Sequence, residues 1–496
     1  MKARLTAARH LRFGSLALWV TAAAVVAAAL YRYIQQPSFW LDEAFVAASL
    51  RRPSISTIFA RLEYGQYFPR AYLFSIALLR GLFGYRIWDL RLLPFLSFVT
   101  ATLLWTRLLS KRAGLHAALG LLAAALLFGS IFWLDQGIML KQYTFDVLVA
   151  LIPFLVGDDF FKRSVVEGKR RILLSALALP CLLSYTYPFA LGARLIGWYL
   201  DQGRRAGWRI NRGAFLTLAS ILLLALAGIW ATDYRFNLID RQSYLEYWND
   251  CILQSALQRN AGSAFRLLGG FLWGWHGRQP FVTAGMVPLQ ALGVYSVISR
   301  WKSSAPDEPG ASWGSRSIGS IVLLLAIITA SALAAFPICG GRVTLFAQVH
   351  TQILALEGAL FVMSFWSTRK GVALVFYGFI AVVIFHSGRD YTRFLRSEPA
   401  ENIRPMLPTI AASTSTTLLV HQCSIVQVQA LPDPLPVREV VLGTDRAPEP
   451  GERVLVLWTH LGADYCREEL ERLRRNSRQW QVLHEGPDRG LALAEF

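Results

Sequence analysis

The sequence FGSLALWVTAAAVVAAALYRYI, residues Phe13–Ile34, is followed after four residues by FWLDE at positions 39–43. As an α-helix the first stretch would be roughly 33 Å long, enough to cross the ~30 Å hydrocarbon core of a bilayer. Two adjacent carboxylates, Asp42 and Glu43, then follow at the edge of this apolar segment. Ionisable groups are costly there and mark candidate functional sites. The stretch therefore predicts a membrane-spanning helix with a functional loop at its far end.

The rest of the chain has the same apolar character. It has 496 residues, of which 54% are hydrophobic and 17% charged, and its mean hydropathy is +0.39. Apolar runs of about 18 or more residues recur along most of it, each long enough to span a bilayer. We therefore predict an all-α polytopic membrane protein.

The strong positive charge does not indicate a nucleic-acid-binding protein. The net charge is +18 at pH 7, but the Lys and Arg residues lie largely in short connections between apolar runs. That distribution is typical of membrane proteins, whose basic loops stay in the cytoplasm. We predict no nucleic-acid partner.

The basic loops also predict the topology. The first span should run from inside to outside, because its basic N-terminal flank stays in the cytoplasm. If the apolar segment 71–83 is an interfacial helix and not a span, every strongly basic short loop lies on the cytoplasmic side. The chain then has about eleven spans, a cytoplasmic N-terminus and an external C-terminus. The later spans are predicted near 92–109, 115–134, 141–161, on both sides of 184–188, 214–231, 280–299, before 336, before 369 and before 387.

Two long external loops and a C-terminal domain complete the predicted organisation. The first loop, about 35–91, contains two expected interfacial helices, 44–62 and 71–83. The second, 232–279, is rich in Tyr, Trp and charged residues. We predict a membrane domain over 1–387 and a small α/β domain over 388–496. In the latter, 454–458 and 480–483 read as strands and 468–475 as a helix.

The unusual charged residues collect on the external face of this topology. A carboxylate beside a cationic site suits group transfer, because the acid orients or deprotonates an incoming hydroxyl or amine. Lys or Arg then holds a departing phosphate. The residues that the topology places on this face are Asp42, Glu43, Asp135, Lys141 and Arg342.

Five motifs occur in an order that resembles a known enzyme family. They are FWLDEA at 39–44, LFGYRIWDLRLLP at 82–94, LKQY at 140–143, FPICGGRVTLF at 336–346 and ENIRP at 401–405. Each motif is loose, but the ordered set is similar to GT-C membrane glycosyltransferases that use a polyprenyl-phosphate-linked sugar. These include the family-39, protein-mannosyltransferase-like, aminoarabinose-transferring and galacturonosyl-transferring enzymes. Many members differ from YFPR at 67–70 and have proline at the position of Gln142, which leaves sugar recognition open.

The resemblance implies a function and assigns roles to residues. It implies an inverting transfer of sugar from the lipid-phosphate donor to an acceptor at the periplasmic side of a bacterial inner membrane. Asp42 would position or activate the acceptor with support from Glu43, and Arg342 and Lys141 would contact the donor phosphate. Further cleft or acceptor contacts are expected from Asp135, Tyr143 and Arg70.

Several alternatives stay open at this point. The chain could instead be a flippase or transporter of lipid-linked glycans, which predicts charges deep inside spans and internal repeats. It could also be a non-catalytic glycan-binding protein, for which Asp42 would be replaceable. No cofactor or metal site is predicted, although a divalent cation between carboxylates is an alternative. The sequence discloses neither the sugar, the acceptor nor the oligomeric state.

Some smaller features carry structural expectations. Cys423 and Cys466 could pair in an oxidising compartment or stay as free thiols. Asp89 and Arg91 are expected to form a local ion pair that positions the first loop. His350, within the tenth span, is expected to be a buried neutral imidazole with a hydrogen-bond partner.

Overall fold

The protein is described by a computed structural model over most of its length. The described residues are 2–60, 62, 66, 68–113, 116–167, 171–205, 216, 219–220, 223–224, 226–228, 230–231, 241–273, 280–303, 311–339, 341, 343–364, 370–399, 401–413, 417–421, 424–433, 435, 437, 439–442, 448–461, 464–486 and 488–496, with residue 68 preceded by the isolated positions 62 and 66. They show a helical membrane domain followed by a small α/β domain, which confirms the predicted fold class.

Helices make up the membrane domain from its first residues. In the N-terminal half they are α1 (Lys2–Gln35), α2 (Leu41–Ser49), α3 (Ile55–Phe59), α4 (Arg70–Phe83), α5 (Ile87–Ala113), α6 (Ala117–Phe128), α7 (Ile131–Gln136), α8 (Tyr143–Leu155), α9 (Asp158–Phe161), α10 (Arg171–Ala176) and α11 (Tyr187–Arg205). A π-helical turn, Lys162–Val166, follows α9, and a 3₁₀ turn, Leu179–Leu182, follows α10.

The second half of the membrane domain continues with α12 (Arg241–Trp248), α13 (Leu253–Arg259), α14 (Ala261–Trp273), α15 (Pro280–Ser303), α16 (Ala311–Ala332), α17 (Gln348–Met363) and α18 (Lys370–Arg396). Among the described residues, five helices are long and apolar enough to cross a membrane: α1, α5, α16, α17 with its preceding turn, and α18. The predicted seventh span, 214–231, lies largely outside the described residues. A helix or a pair of helices lies in each of the other predicted spans.

Close helix crossings hold the bundle together. Helices α15 and α17 pack against each other, as do α11 and α16, and α1 packs on α5 and α6. At the α15–α17 crossing, a Cβ on Gly293 would lie 1.9 Å from the Leu354 carbonyl oxygen, and one on Gly358 would lie 1.8 Å from the Leu289 carbonyl oxygen. Such a close approach of two backbones needs small residues at the contact. Glycine at both positions therefore allows this crossing.

The segment between α1 and α5, predicted to be the first external loop, forms its own layer on the bundle. Helix α4 matches the interfacial helix predicted at 71–83, and Leu78, Leu82 and Phe83 on it are exposed. The other expected helix, 44–62, is wrong as a single element because it divides into α2 and α3. Pro53 lies between them, and the residue before a proline is disfavoured in helical geometry. The inner sides of α2, α3 and α4 share one apolar core.

The C-terminal domain is built on a five-stranded mixed sheet. Its strands are β1 (Thr417–Val420), β2 (Glu439–Leu442), β3 (Arg453–Thr459), β4 (Gln479–Gly486) and β5 (Arg489–Glu495), in the order β2-β1-β3-β5-β4. β1 pairs in parallel with β2 and β3, whereas β5 is antiparallel to β3 and β4. The helices are α19 (Leu407–Ala412), α20 (Ile425–Gln429) and α21 (Asp464–Asn476). The predicted strands at 454–458 and 480–483 and the helix at 468–475 are confirmed.

Candidate active site

The motif that follows the first span folds into the N-terminus of helix α2. Trp40 is the N-cap residue, and Asp42 and Glu43 lie in the first helical turn. Negative side chains are stabilised there by the free N–H groups and the helix dipole. Glu43 turns back, so that its Oε2 accepts a 3.1 Å hydrogen bond from the Trp40 backbone N–H. Glu43 is 1% exposed, whereas Asp42 beside it is partly exposed.

A buried ion pair holds Glu43. The Arg91 guanidinium, on α5, donates from Nε to Glu43 Oε1 at 2.9 Å and from Nη2 to Oε2 at 2.6 Å. Arg91 also donates to the carbonyl oxygens of Pro37 at 2.7 Å and Ser38 at 3.3 Å. The expected Asp89–Arg91 pair is therefore wrong. Residues two apart on a helix do not face each other, so Arg91 reaches the loop while Asp89 does not.

Glu43 also joins the loop of Asp42 to the turn that carries Lys141. Its Oε1 accepts a 2.5 Å hydrogen bond from the backbone N–H of Leu140, in the turn between α7 and α8. Lys141, the next residue, is 5% exposed, and its Nζ donates to Gln66 Oε1 at 2.8 Å. The Glu43 carboxylate thus bonds backbone N–H groups close to Asp42 and to Lys141, at Trp40 and Leu140. The structure brings the segments of Asp42 and Lys141 together.

The other predicted site residues surround this junction or lie apart from it. Arg70, at the start of α4, is fully buried, and its Nη1 donates to the Ile58 carbonyl oxygen at 3.1 Å. Tyr143 begins α8, two residues after Lys141, and is partly buried. Asp135, near the end of α7, is partly buried and has Arg32 at the end of α1 as an electrostatic partner. Arg342 lies outside the described residues, so its predicted phosphate contact stays a prediction.

Glu401, in the ENIRP motif, is a site residue to which the sequence assigned no role. Its side chain is 3% exposed, and Oε1 accepts from the Trp40 indole Nε1–H at 2.9 Å while Oε2 accepts from the Leu41 N–H at 3.1 Å. From the C-terminal domain, Gln427 Nε2 donates to Oε2 at 2.6 Å and His460 Nδ1 lies 2.6 Å from Oε1. Burial raises the pKa of the Glu401 carboxyl, against the opposing effect of these donors.

Neighbouring backbone contacts seat the Glu401 segment on the loop before α2. The Ser38 N–H donates to Asn402 Oδ1 at 2.8 Å, and the Ile403 N–H donates to Ser38 Oγ at 2.8 Å. Arg404 Nη1 donates to the Gln36 carbonyl oxygen at 2.6 Å. The start of the C-terminal domain therefore docks directly on the segment that leads into the candidate site.

A second ionic cluster lies inside the helix bundle. Glu357, in α17, is fully buried and accepts from Arg112 Nε at 2.8 Å, from Arg112 Nη2 at 2.6 Å, and from Ser317 Oγ at 2.9 Å. Arg300 also donates to Glu357. The partners come from α5, α15 and α16, near the ends predicted to be cytoplasmic. Sequence reasoning did not single out Glu357.

His350 in the same helix behaves as predicted. Its ring is fully buried, and Nδ1 lies 3.0 Å from the Ser320 hydroxyl oxygen. Phe154 packs against the imidazole with the ring centroids 4.3 Å apart. The predicted buried histidine with a hydrogen-bond partner is confirmed.

The described cysteines include a disulfide that the sequence did not predict, and Cys466 is also bonded, which is consistent with the first of its two alternatives. Cys251 and Cys339 form a disulfide with a Cα–Cα distance of 4.8 Å, which the spacing of the cysteines did not reveal. Cys181 is a buried free thiol. Cys466 is disulfide-bonded, and Cys423 lies outside the described residues. Among the residues that the structure describes, no group of three His, Cys, Asp or Glu side chains could hold a metal ion.

Comparisons with known proteins find similarity among solved structures. No protein-family model matches the chain, and no curated protein sequence matches it significantly. The chain is similar to the crystal structure of ArnT from Cupriavidus metallidurans bound to undecaprenyl phosphate, with 14% identity and a TM-score of 0.47. It is also similar to apo ArnT from the same organism, with 12% identity and a TM-score of 0.41. Each comparison covers 96% of this chain and 97% of the other.

Proposed function

We propose that the protein is a membrane glycosyltransferase that moves a sugar from a polyprenyl-phosphate donor to an acceptor on the external face. The observation that carries the proposal is the Glu43 carboxylate, which bonds Arg91 and the Leu140 N–H at 2.5 Å. It holds the segment of a partly exposed acid, Asp42, beside the segment of a buried cation, Lys141. These are the two kinds of group that the reaction needs.

The two acids have different roles in this proposal. Both carboxylate oxygens of Glu43 accept hydrogen bonds, from Arg91 and from two backbone N–H groups, so Glu43 positions the loop that carries Asp42. Asp42 points from the same helical turn and is partly exposed, so it can meet an acceptor hydroxyl or amine. There it orients the acceptor and takes its proton as the bond to the sugar C1 atom forms. Attack opposite to the leaving phosphate inverts the configuration at C1.

The leaving group explains the need for a buried cation. Breaking the bond between C1 and the phosphate oxygen leaves a polyprenyl phosphate that carries additional negative charge. A fixed cation in a site of low dielectric constant stabilises this developing charge far more than it would in water. We assign that role to Lys141, which is 5% exposed, and Arg342 is the second proposed contact of the phosphate.

The disulfide supports the orientation proposed for this face. Disulfides persist in oxidising compartments such as the bacterial periplasm. Cys251 and Cys339 pair with each other, and both belong to segments that the basic loops predict to be external. Asp42 and Lys141 belong to external segments of the same topology. The proposed location is therefore the periplasmic side of a bacterial inner membrane.

Glu357 favours a second candidate function, a transporter of lipid-linked glycans. A charge buried within a span is what a transporter predicts. However, Glu357 is neutralised by two arginines and also bonds Ser317, all on packed helices. An acid compensated in this way acts as a structural tie, so the transferase stays the preferred function.

The test compares sugar transfer by wild type and by Asp42→Asn in proteoliposomes. A panel of radiolabelled polyprenyl-phosphate sugars is supplied with a cell-envelope extract as the acceptor source. Loss of a general base typically costs 10²- to 10⁴-fold, so we expect Asp42→Asn to lose at least about 100-fold. Asp464→Asn, at an exposed aspartate of the C-terminal domain, is the matched control.

Two outcomes would contradict the proposal. Equal transfer by wild type and Asp42→Asn would remove the role of Asp42. No transfer by wild type from any donor, together with movement of a fluorescent lipid-linked sugar across the bilayer, would favour the transporter.

A further inference from the structure

The start of helix α2 contacts Glu401, which in turn contacts the C-terminal domain. Leu41 is its first residue, and the first N–H groups of a helix have no partner within the helix. Here the Leu41 N–H is satisfied by Glu401 Oε2 at 3.1 Å, a residue 360 positions later in the chain. The other oxygen of Glu401 accepts from the Trp40 indole at 2.9 Å. The helix that carries Asp42 therefore depends on an acceptor outside the membrane domain's first loop.

The same carboxylate is held from the other side by the C-terminal domain. His460, directly after β3, places Nδ1 2.6 Å from Oε1, and Gln427 in α20 donates to Oε2 at 2.6 Å. Gln427 is itself oriented, because its Oε1 accepts from the Thr459 hydroxyl. The Thr459 hydroxyl oxygen also lies 3.0 Å from Ser424 Oγ. The position of Glu401 is thus set by groups fixed on the sheet.

Backbone geometry distinguishes the two residues in this contact. Glu401 has φ 59° and His460 has φ 60°, values that residues with a side chain rarely adopt. Such conformations persist where surrounding contacts hold them, and they concentrate at functional sites. Both residues of one hydrogen-bonded pair have this backbone. The backbone conformations at Glu401 and His460 therefore accompany the hydrogen bond between their side chains.

A second glutamate, Glu398, lies in the same linker, the segment between α18 and α19, and makes a simpler contact. Glu398 pairs with Arg489 of β5, and Arg489 Nη1 donates to the Pro399 carbonyl oxygen at 2.7 Å. The Glu398 side chain is 55% exposed, and its ion pair is with Arg489 of the C-terminal domain. Glu401, three residues later, is buried and contacts that domain and helix α2 together. Within this linker, Glu398 therefore only attaches the C-terminal domain, whereas Glu401 also contacts the helix that carries Asp42.

From this arrangement we infer that Glu401 is a positioning residue through which the C-terminal domain sets the place of Asp42. The inference rests on the proposed function for its catalytic consequence, but the physical coupling does not. A change in the C-terminal domain that moves His460 or Gln427 shifts the carboxylate that satisfies the Leu41 N–H. Asp42 is the next residue of that helical turn, so it shifts with it. An acceptor that contacts the C-terminal domain can thereby control the reaction.

The test uses the full chain in proteoliposomes with two readouts. The first is amide hydrogen exchange of residues 41–49, which needs no enzymatic activity. The second is the kinetics of sugar transfer, with kcat and the donor KM measured separately. The variants are Glu401→Ala, Glu401→Gln, His460→Ala and the control Glu398→Gln.

We expect Glu401→Ala to raise exchange at the start of α2 by about five-fold or more, as loss of a helix cap does. It should lower kcat by roughly 100-fold through misplacement of Asp42, with little change in the donor KM. Glu401→Gln should recover part of both effects, because its amide oxygen still accepts a hydrogen bond. His460→Ala should raise exchange in α2 although its own contact is with Glu401.

Unchanged exchange in α2 for both Glu401→Ala and His460→Ala would overturn the inference. So would an equal effect of Glu398→Gln, which would mean that any loosening of the linker suffices. If Glu401→Ala does not fold, His460→Ala and Glu401→Gln decide the question. If wild type transfers no sugar, the proposed function fails while the exchange readout still tests the coupling.

Discussion

Glu43 and Glu357 are two buried glutamates that each receive the forked donor groups of one arginine. Arg91 donates to Glu43 at 2.9 and 2.6 Å, and Arg112 donates to Glu357 at 2.8 and 2.6 Å. They differ in what completes the site. Glu357 takes a second arginine, Arg300, and a serine hydroxyl, all from packed helices. Glu43 takes two backbone N–H groups, at residues 40 and 140.

The difference shows how one type of ion pair has two consequences. At Glu357 every partner is on a long helix, so the charges fix how α5, α15, α16 and α17 pack. At Glu43 the partners are Arg91 on α5 and two backbone N–H groups of the segments beside Asp42 and Lys141, so the contacts fix where the proposed reacting groups lie. Loss of the first should act on stability, and loss of the second on activity as well. The predictions that follow test that division.

The largest effect is expected for Glu357→Leu. The substitution leaves Arg112, whose side chain is 9% exposed, without its carboxylate in the bundle. Breaking one partner of a buried pair costs about 3–5 kcal/mol, because the remaining charge is uncompensated. The measurement is the free energy of unfolding in detergent. Sugar transfer per folded molecule should stay close to that of wild type, and a selective loss of transfer at unchanged stability would contradict the comparison.

On the side predicted to be external, a disulfide joins distant segments, as the ion pairs of Glu357 do within the bundle. The Cys251–Cys339 disulfide closes a separation of 88 residues, and removal of a native disulfide costs about 2–4 kcal/mol. Cys251→Ser with Cys339→Ser should therefore lower the thermal midpoint measured without reductant. In wild type, reductant should produce a decrease at least as large, because it also reduces the disulfide of Cys466. Cys181→Ser is the control, since Cys181 is a free thiol, and a decrease of equal size there would contradict the assignment.

For Glu43→Gln we expect a loss of activity in the folded protein in addition to a loss of stability, because the buried Arg91 is left without its carboxylate. Glutamine is about the same size, but it has one carbonyl oxygen where the carboxylate has two. It therefore cannot accept all the hydrogen bonds that Glu43 Oε1 and Oε2 accept from Arg91 and the backbone. Misplacement of a reacting group by about 1 Å can cost roughly 100-fold in rate, and we expect a loss of that order in kcat. Arg91→Lys should act in the same direction, because an ammonium group lacks the fork. A stability loss as large as that of Glu357→Leu, with kcat unchanged, would reverse the two roles.

Local sequence patterns predicted the elements of this fold well. The apolar runs gave the long helices, and the length and charge of 71–83 distinguished α4 from a span. The short apolar run at 454–458 located β3, and the segment 480–483 was correctly read as part of a strand, β4. These signals work because helices and strands depend mainly on neighbouring residues. The division of 44–62 at Pro53 shows their limit, since a single residue outweighed the pattern around it.

Contacts between distant residues could not be predicted in the same way. Nearness in sequence suggested the pair Asp89–Arg91, but Arg91 pairs with Glu43, 48 residues away. The Glu401–Leu41 bond spans 360 residues, and the motif around Glu401 carried no sign of it. Such contacts depend on how complete elements pack. Asp42 and Lys141 were identified as candidates, whereas the groups that hold them in place required the structure.

The smallest effect concerns a third glutamate, Glu469, whose partner is a histidine and not an arginine. In the C-terminal domain, His421 Nε2 lies 3.2 Å from Glu469 Oε2. Burial and the charge of Arg472 nevertheless lower the pKa of His421 to about 4, from an ordinary value of 6.5. The unfolded chain therefore binds more protons between these two pH values, and stability falls as pH decreases from 6.5 towards 4.

At pH 5.5 this linkage should cost the C-terminal domain about 1.4 kcal/mol relative to pH 7.5. The measurement is hydrogen exchange of β3 amides at both pH values, corrected for intrinsic rates. This strand reports on His421 because the backbone N–H of His421 donates to the Leu457 carbonyl oxygen at 2.9 Å. His421→Gln should remove most of the difference, and His484→Gln on the edge strand β4 is the control. A glutamate paired with a titratable cation makes its region sensitive to acid in a way that an arginine pair does not. If β3 exchange is equally protected at both pH values in wild type, His421 does not supply that sensitivity.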